Sequence, residues 1–454
     1  MLRNFFRLEE NGTTVRTELL AGLTTFSTMA YIIFVQPVVL GAAGMDVGAV
    51  FTSTCFVTAF ATILMALLAN YPVAVAPAMG HNFFFAYVVV LTMKVPWQTA
   101  LGAVLISGII FVATASFGLR ELIVAAVPES LKSAIGVGIG LLITLIGMEW
   151  AGFVRLDPNT FVALGHLEAK PTLVALVGLV VTVILIARGV KGAILFGMFV
   201  AAIAAIPLGI LRGPGAIAAL PPSLAPTLLK LDLSAALKQN LIAVIFIFFF
   251  LDLFDTVGSL IGIANQAGLI KEGKLPRAGR ALLADAIGTV GSALVGNTTM
   301  VSYIESAAGV AAGGRTGLAA IVTATLFLVA LFFSPVVQMV SGGFSVQDVI
   351  TVEGQQVIRN FTLYPVTSPA LIVVGSFMIR AVRDIEWDDY TEALPAFITL
   401  VIMPLTFSIT DGIAFGFISY ALLKLVTGRR REAHWLIYVF AILFIVRYAF
   451  PGLH

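Results

Sequence analysis

In a chain of 454 residues that is 59% hydrophobic and only 11% charged, with a mean hydropathy of +1.05, polar side chains are too few to cover a water-soluble globule. Apolar runs of about 17 to 25 residues recur along its whole length, which makes it a polytopic membrane protein. The net charge of +2 gives no basis for nucleic-acid binding, the alternating pattern of a membrane β-barrel is absent, and the single Cys55 supplies neither an internal disulfide nor a cysteine metal site.

The runs predict 14 membrane segments, at 20–42, 48–70, 74–92, 97–119, 132–150, 172–189, 192–211, 239–264, 279–296, 301–313, 317–340, 366–382, 391–408 and 411–427. The first follows a polar start with three Arg and three Glu and lacks a small-residue cleavage site, so it is read as a retained span rather than a signal peptide. Two segments are irregular. The third opens with Pro72, Pro77 and Gly80, and the tenth is too short to cross as a helix; both are expected to be half-helices preceded by extended chain. With the N-terminus in the cytoplasm, 18 of the 26 Lys and Arg fall inside, including the cluster Lys271, Lys274, Arg277 and Arg280, as the positive-inside rule requires. After Arg429-Arg430-Arg431, the apolar run from Trp435 to Phe450 is left open between crossing the membrane and lying along its interface.

The two halves echo each other. Pro77-Ala-Met-Gly-His-Asn and Asn297-Thr-Thr-Met-Val-Ser each introduce a short helix, and Lys191-Gly-Ala-Ile-Leu-Phe-Gly and Asp411-Gly-Ile-Ala-Phe-Gly lie at the same offset of 220 residues. Seven spans per half is an odd number, so the halves insert in opposite orientations. The fold class is therefore an all-α membrane protein in a 7+7 inverted repeat, with two half-helices meeting at mid-membrane, the usual architecture of a secondary transporter.

Few residues in these runs can carry chemistry. Asp252 and Asp255 stand three apart on one helix face of the eighth span, and each costs on the order of 2.5 to 3.5 kcal/mol to place at the centre of a membrane helix. Like-charge repulsion between them predicts that one keeps its proton, as a proton-coupled carrier needs. Glu305 sits at the start of the second half-helix, where free backbone N–H groups would favour a carboxylate or an acceptor-rich ligand; Ser302-Tyr-Ile-Glu also fits a capping box. Asn82 offers a buried donor and acceptor beside Phe83, Phe84 and Phe85, and His81 is a further proton-carrier candidate. Four scattered histidines give no metal spacing, and no phosphate loop or catalytic Ser/His/Asp set can be assembled, so no cofactor and no enzymatic reaction are expected.

Four stretches carry a family resemblance across essentially the whole chain: Gly22-Leu-Thr-Thr-Phe-Ser-Thr-Met-Ala-Tyr-Ile-Ile-Phe-Val, Pro77 to Tyr87, Phe254-Asp-Thr-Val-Gly-Ser, and Tyr303-Ile-Glu-Ser-Ala-Ala-Gly-Val-Ala-Ala-Gly-Gly-Arg-Thr-Gly-Leu. The chain resembles the AzgA-like purine permeases, which transport hypoxanthine, adenine and guanine, and more distantly the uracil and xanthine permeases. The resemblance implies a core domain (1–119 and 239–340, spans 1–4 and 8–11) and a gate domain (120–212 and 341–428, spans 5–7 and 12–14) that is often the dimer surface. Residues 213–238 would be an outer linker and 429–454 a basic stop with its apolar tail. By the same resemblance Asp255 and Glu305 would hold the base, Asn82 would match the polar residue of the third span, and Asp252 would serve proton coupling, with Glu305 shared between the two roles. Phe83, Thr25 and Ser302 complete the candidate substrate-binding set. The pattern departs at His81, where an apolar residue is common, at Phe83, where a small one is, at Gln36 in place of Asn, and at Asn297-Thr-Thr in place of Thr-Ser-Thr. The expectation is proton-coupled import of neutral purine bases across a bacterial plasma membrane, N-terminus inside, by a protein surrounded by lipid and able to pair through its gate domains. Uracil, xanthine or an anion such as sulfate or bicarbonate are the alternatives on the same fold.

Overall fold

The computed structural model describes residues 2–117, 127–157, 160–238, 241–269, 275–352 and 355–449. Lys271 and Lys274 of the basic cluster lie outside the described residues, as do 118–119, 239–240 and Phe450 at the ends of expected segments.

Each of the 14 expected segments coincides with a helical element. The first is two helices, α1 (Val15–Met29) and α2 (Ile32–Ala42), with Tyr31 at the break and Pro37 inside α2. α3 (Val47–Ala69) starts where Asp46 accepts the Ala49 N–H at 2.7 Å and stops at Asn70, whose φ of +53° cannot continue a helix. The third segment is a strand, β1 (Val75–Pro77), followed by α4 (Met79–Phe83), which runs on as wider π-helical turns through Phe84–Thr92. Then come α5 (Trp97–Phe117), α6 (Glu129–Ala151), a short hairpin of β2 (Val154–Asp157) and β3 (Phe161–Leu164), α7 (Lys170–Ala187) and α8 (Ala193–Ala205).

The second half repeats the plan after a short connecting helix, α9 (Leu233–Lys238), with α10 (Ile242–Ala267) and α11 (Ala278–Val295). The tenth segment is β4 (Met300–Ser302) and α12 (Ser306–Ala311); the eleventh is α13 (Gly317–Ala330) continued by α14 (Ser334–Val340). A hairpin of β5 (Phe344–Val352) and β6 (Gln355–Leu363) leads to α15 (Ser368–Met378), α16 (Tyr390–Thr406) and α17 (Ile409–Val426). The C-terminal run is α18 (Trp435–Ala449), antiparallel to α17: Phe440 lies 5.8 Å from Phe417 and the Tyr448 hydroxyl donates to Asp411 at 2.6 Å. Its 15 described residues, rising about 1.5 Å each, cover less than the thickness of a hydrocarbon core.

The extended stretches meet at the centre. β1 and β4 pair antiparallel, Val75 with Ser302, Ala76 with Val301 and Pro77 with Met300, as corresponding strands of inverted halves must. Backbone bonds extend the ladder, from Tyr303 N to Ala74 O at 2.9 Å and from Ala78 N to Thr299 O at 3.0 Å. α11 can enter this crossing because Gly296 turns it with φ +85°, pressed so closely on Thr227 that a side chain there would collide. Helix packing is densest within two sets: α1, α3, α5, α11, α12 and α13 on one side, and α6 with α15, α16 and α17, plus α7 with α8, on the other.

A buried amide network fastens the crossing. Gln36 Nε2 donates to Asn297 Oδ1 at 2.7 Å, and Asn297 Nδ2 donates to Ser53 Oγ at 3.0 Å and Thr54 Oγ1 at 2.9 Å. Asn82 donates to Gln36 and accepts from Thr298. Asn297→Ala strands a donor on α2 and acceptors on α3 at about 1 to 3 kcal/mol each, so a lowered melting temperature of the purified protein is expected; an unchanged one contradicts this network. At the α16 entrance, outside the spans, the Thr391 hydroxyl, the Thr391 N–H and the Arg429 guanidinium hold the Asp389 carboxyl down to about 2. A carboxyl lowered in the folded state stabilises in full above its ordinary range near 4, and that contribution disappears as pH falls towards 2. Asp389→Asn, which keeps the helix cap, should melt lower than the parent at pH 7, with the gap closing below pH 4.

Candidate functional site

One cavity of about 890 Å³ lies between the two packing sets, at the upper end of the range of about 300 to 1,000 Å³ for small-molecule pockets. Asp255 and Glu305 both line it, one from the middle of α10 and the other from the residue before α12. Thr28 of α1, Ser259 one turn beyond Asp255, Phe250 and Phe254 of α10, and Gly80 and His81 of α4 complete the inner wall, and Ser133, Gly136 and Ile139 of α6 face them.

Glu305 is held from α1. Its Oε1 accepts the Tyr31 hydroxyl at 2.6 Å, and its carbonyl accepts Thr28 Oγ1 at 3.3 Å, so the break in the first span is what reaches it. The capping box does not form: Glu305 itself occupies the cap position without a side-chain cap bond, and Ser302 Oγ, fully buried in β4, has no hydrogen-bond partner among the described residues. The expected free N–H groups are also taken up locally, with Ser306, Ala307 and Ala308 donating to Tyr303, Ile304 and Glu305.

The other candidates are distributed differently from the expectation. Asp252 is fully buried and points to α11, not to the cavity: Thr289 Oγ1 donates to it at 3.4 Å, while Thr256 donates to Asp285. The two antiparallel helices thus exchange a threonine and an aspartate each, and the partner of Asp252 in this cluster is on α11 rather than being Asp255. Asp285 was missed by the sequence reading although it is an acid inside an apolar segment, the signal that singled out Asp252. Asn82 and Ser302 belong to the crossing and do not line the cavity. Thr25 faces Gly309 so closely that a Cβ there would strike its hydroxyl. Phe83 stacks on Tyr87 at 5.7 Å and lies 6.2 Å from Trp150, which contacts Tyr364 at 4.6 Å and donates Nε1–H to the Tyr87 hydroxyl at 3.2 Å.

That aromatic cluster lies at the C-terminal end of α6, and the exposed charged lining residues Glu129, Lys191 and Arg380, with Gly189, mark the other end, at the start of α6, the α7–α8 turn and the end of α15. The cavity is therefore open at one end and shut at the other. Lys132 stands at the mouth, 2.8 Å from Glu129 and 6.0 Å above the Phe254 ring across the cleft. Since Cys55 is buried, Ser133→Cys in a Cys55→Ala background should react with a membrane-impermeant maleimide from the face bearing Lys132 and Lys191 and stay protected from the other. Labelling from the Trp150 face alone contradicts the assignment of the mouth.

The comparisons with known proteins agree with this architecture. Residues 16–344 match the profile of the xanthine/uracil permeases, described as a permease family. The chain is 44% identical to the guanine/hypoxanthine permease PbuG of Bacillus subtilis, over 99% of this chain and 100% of that one, and 42% identical to the adenine permease AdeP of Escherichia coli, over 100% and 97%. Among solved structures, the transmembrane domain of the cyanobacterial bicarbonate transporter BicA superposes with a TM-score of 0.64 at 16% identity, covering 88% of this chain and 97% of that one. The murine solute carrier 26 family member A9, an anion transporter in its inward-facing state, gives 0.60 at 10% identity, over 91% and 68%. These likenesses support the 7+7 fold.

Proposed function

The chain belongs to the uracil/xanthine permease family, and from that premise we propose that it imports neutral purine bases by proton symport. The observation that carries this reading is the convergence of two carboxylates, Asp255 and Glu305, on one cavity from different helices. A purine presents N–H donors beside ring acceptors, and carboxylates accept N–H bonds at roughly twice the strength of neutral acceptors. Phe250 and Phe254 add aromatic surface to the same wall, suited to the face of a flat heterocycle. An anion would meet two acids at the inner end of the cavity, so the charge that favours a base opposes bicarbonate or sulfate. The relatives named for guanine, hypoxanthine and adenine support the same choice.

In this account α1 to α5 and α10 to α14 form the core that carries the base, and α6 to α8 with α15 to α17 form the gate. With the N-terminus in the cytoplasm, the mouth beside Lys132 faces the cell interior and the Phe83–Tyr87–Trp150–Tyr364 cluster closes the outer path. Alternating access then separates those rings and closes Lys132 on Phe254. Proton coupling belongs to the Asp252–Thr256–Asp285–Thr289 cluster, which joins α10, the helix of Asp255, to the strand crossing: Thr289 Oγ1 also accepts the Met300 N–H of β4 at 2.9 Å. A charge change there is one short helix turn from the substrate carboxylate.

Reconstituted protein is expected to accumulate labelled hypoxanthine, guanine or adenine when an inward proton gradient is imposed and to lose accumulation with a protonophore. Bicarbonate and sulfate should not compete. Uptake indifferent to the gradient overturns the symport, and competition by the anions without competition by purines overturns the substrate class.

A further inference from the structure

The C-terminal helix α18 touches both parts that must move against each other. On the gate side polar bonds hold it at each end: the Tyr448 hydroxyl donates to Asp411 at the start of α17, and Glu432, in the turn that leads into α18, accepts Lys424 of α17 at 3.0 Å. Lys424 is buried and also bonds Glu392 of α16 at 3.0 Å, while Arg429 of the same turn pairs with Asp389 at 2.8 Å. Toward the core, α18 presents phenylalanine rings. Phe440 lies 5.2 Å from Phe246 and 6.3 Å from Phe250 of α10, and Phe444 lies 6.5 Å from Phe246. Phe417 of α17 joins the same stack, 5.6 Å from Phe250 and 5.8 Å from Phe440. The stack reaches the cavity, since Phe250 lies 4.4 Å from Phe254, the ring that faces Lys132 across the mouth.

The two attachments differ in kind. Hydrogen bonds weaken steeply once distance and angle change, whereas ring contacts tolerate a range of offsets and tilts. Within lipid, acyl chains replace a lost apolar neighbour, so such contacts are worth only their packing. α10 packs with α5, α11 and α12, and α17 with α6 and α16, so the ring stack crosses the boundary between the two helix sets. We propose that α18 is a strap that travels with the gate and, through Phe440 and Phe444, holds α10 in the arrangement whose mouth beside Lys132 is open. The polar ends keep it on the gate in both states, and the rings form the contact that is released. Contacts made in one state favour that state by what they lose in the other, so weakening the rings shifts the population toward the arrangement open at the Trp150 face. The inference rests on the alternating-access reading and adds to it which segment sets the balance between the two states.

The test is the rate at which Ile139→Cys, in the full chain with Cys55→Ala, reacts with a membrane-impermeant maleimide from each face of the membrane. Ile139 lines the cavity from the middle of α6, so the reagent reaches it through the mouth in this state and from the Trp150 face only when the path opens the other way. Phe440→Ala and Phe246→Ala cut the same contact from its two sides, and each should raise the rate from the Trp150 face about two- to tenfold. Phe440→Leu, which keeps an apolar side chain and spares the fold, should change the rate in the same direction. Ile442→Ala, on the exposed side of α18, should leave it unchanged. A Trp150-face rate that stays at the parent's value in all three ring variants, or that rises equally in Ile442→Ala, overturns the strap. If Ile139→Cys in the parent is never labelled from the Trp150 face, with or without a proton gradient, the alternating-access reading fails, and with it this inference.

Discussion

Extended backbone in the middle of a membrane has no water to bond with, so each of its N–H and C=O groups must find a partner within the protein. β1 and β4 meet that demand by pairing with each other, and nearly everything about the site follows from where they must sit. The pairing fixes the two half-helices relative to one another. It turns Gln36, Asn82, Asn297 and Thr298 into a buried amide network and leaves α4 and α12 to begin at the wall of the cavity. Glu305 is placed by the last residue of that strand plus a single turn, and Tyr31, released by the break between α1 and α2, fixes its carboxylate from the other side.

The acids of α10 show how one helix serves two environments. Asp255 faces the cavity, while Asp252, most of a turn earlier, faces α11 and shares its cluster with Asp285 and two threonines. The cavity carboxylate and the buried Asp252–Asp285 cluster thus lie on opposite sides of α10, and Thr289 ties the cluster to the strand crossing.

Much of this was legible from residue order. Pro72, Pro77 and Gly80 announced an interrupted third segment, the shortness of 301–313 announced another, and an acid inside each of two apolar stretches picked out Asp255 and Glu305. What could not be read was which way side chains turn. Spacing of three placed Asp252 and Asp255 on one face, but a 60° difference is enough to send one into a helix interface and the other into a cavity. Asn82 looked like a ligand contact because a buried amide needs partners; its partners, Gln36 and Thr298, are 46 and 216 residues away and become visible only when the two halves are folded together. Phe83, Thr25 and Ser302 likewise carry packing and crossing contacts whose partners lie on other elements. Asp285 was hidden by its position in a segment of lower hydropathy, where a charge attracts less notice.

The most direct measurement of the central claim is equilibrium binding of radiolabelled hypoxanthine to purified protein and to Glu305→Gln. Saturable binding by the parent, weakened about ten- to a hundredfold when the carboxylate becomes an amide, is the predicted result, the loss expected when a charged acceptor is replaced at a buried hydrogen bond. Unchanged affinity in Glu305→Gln, or no saturable binding by the parent, would contradict a purine held between Glu305 and Asp255.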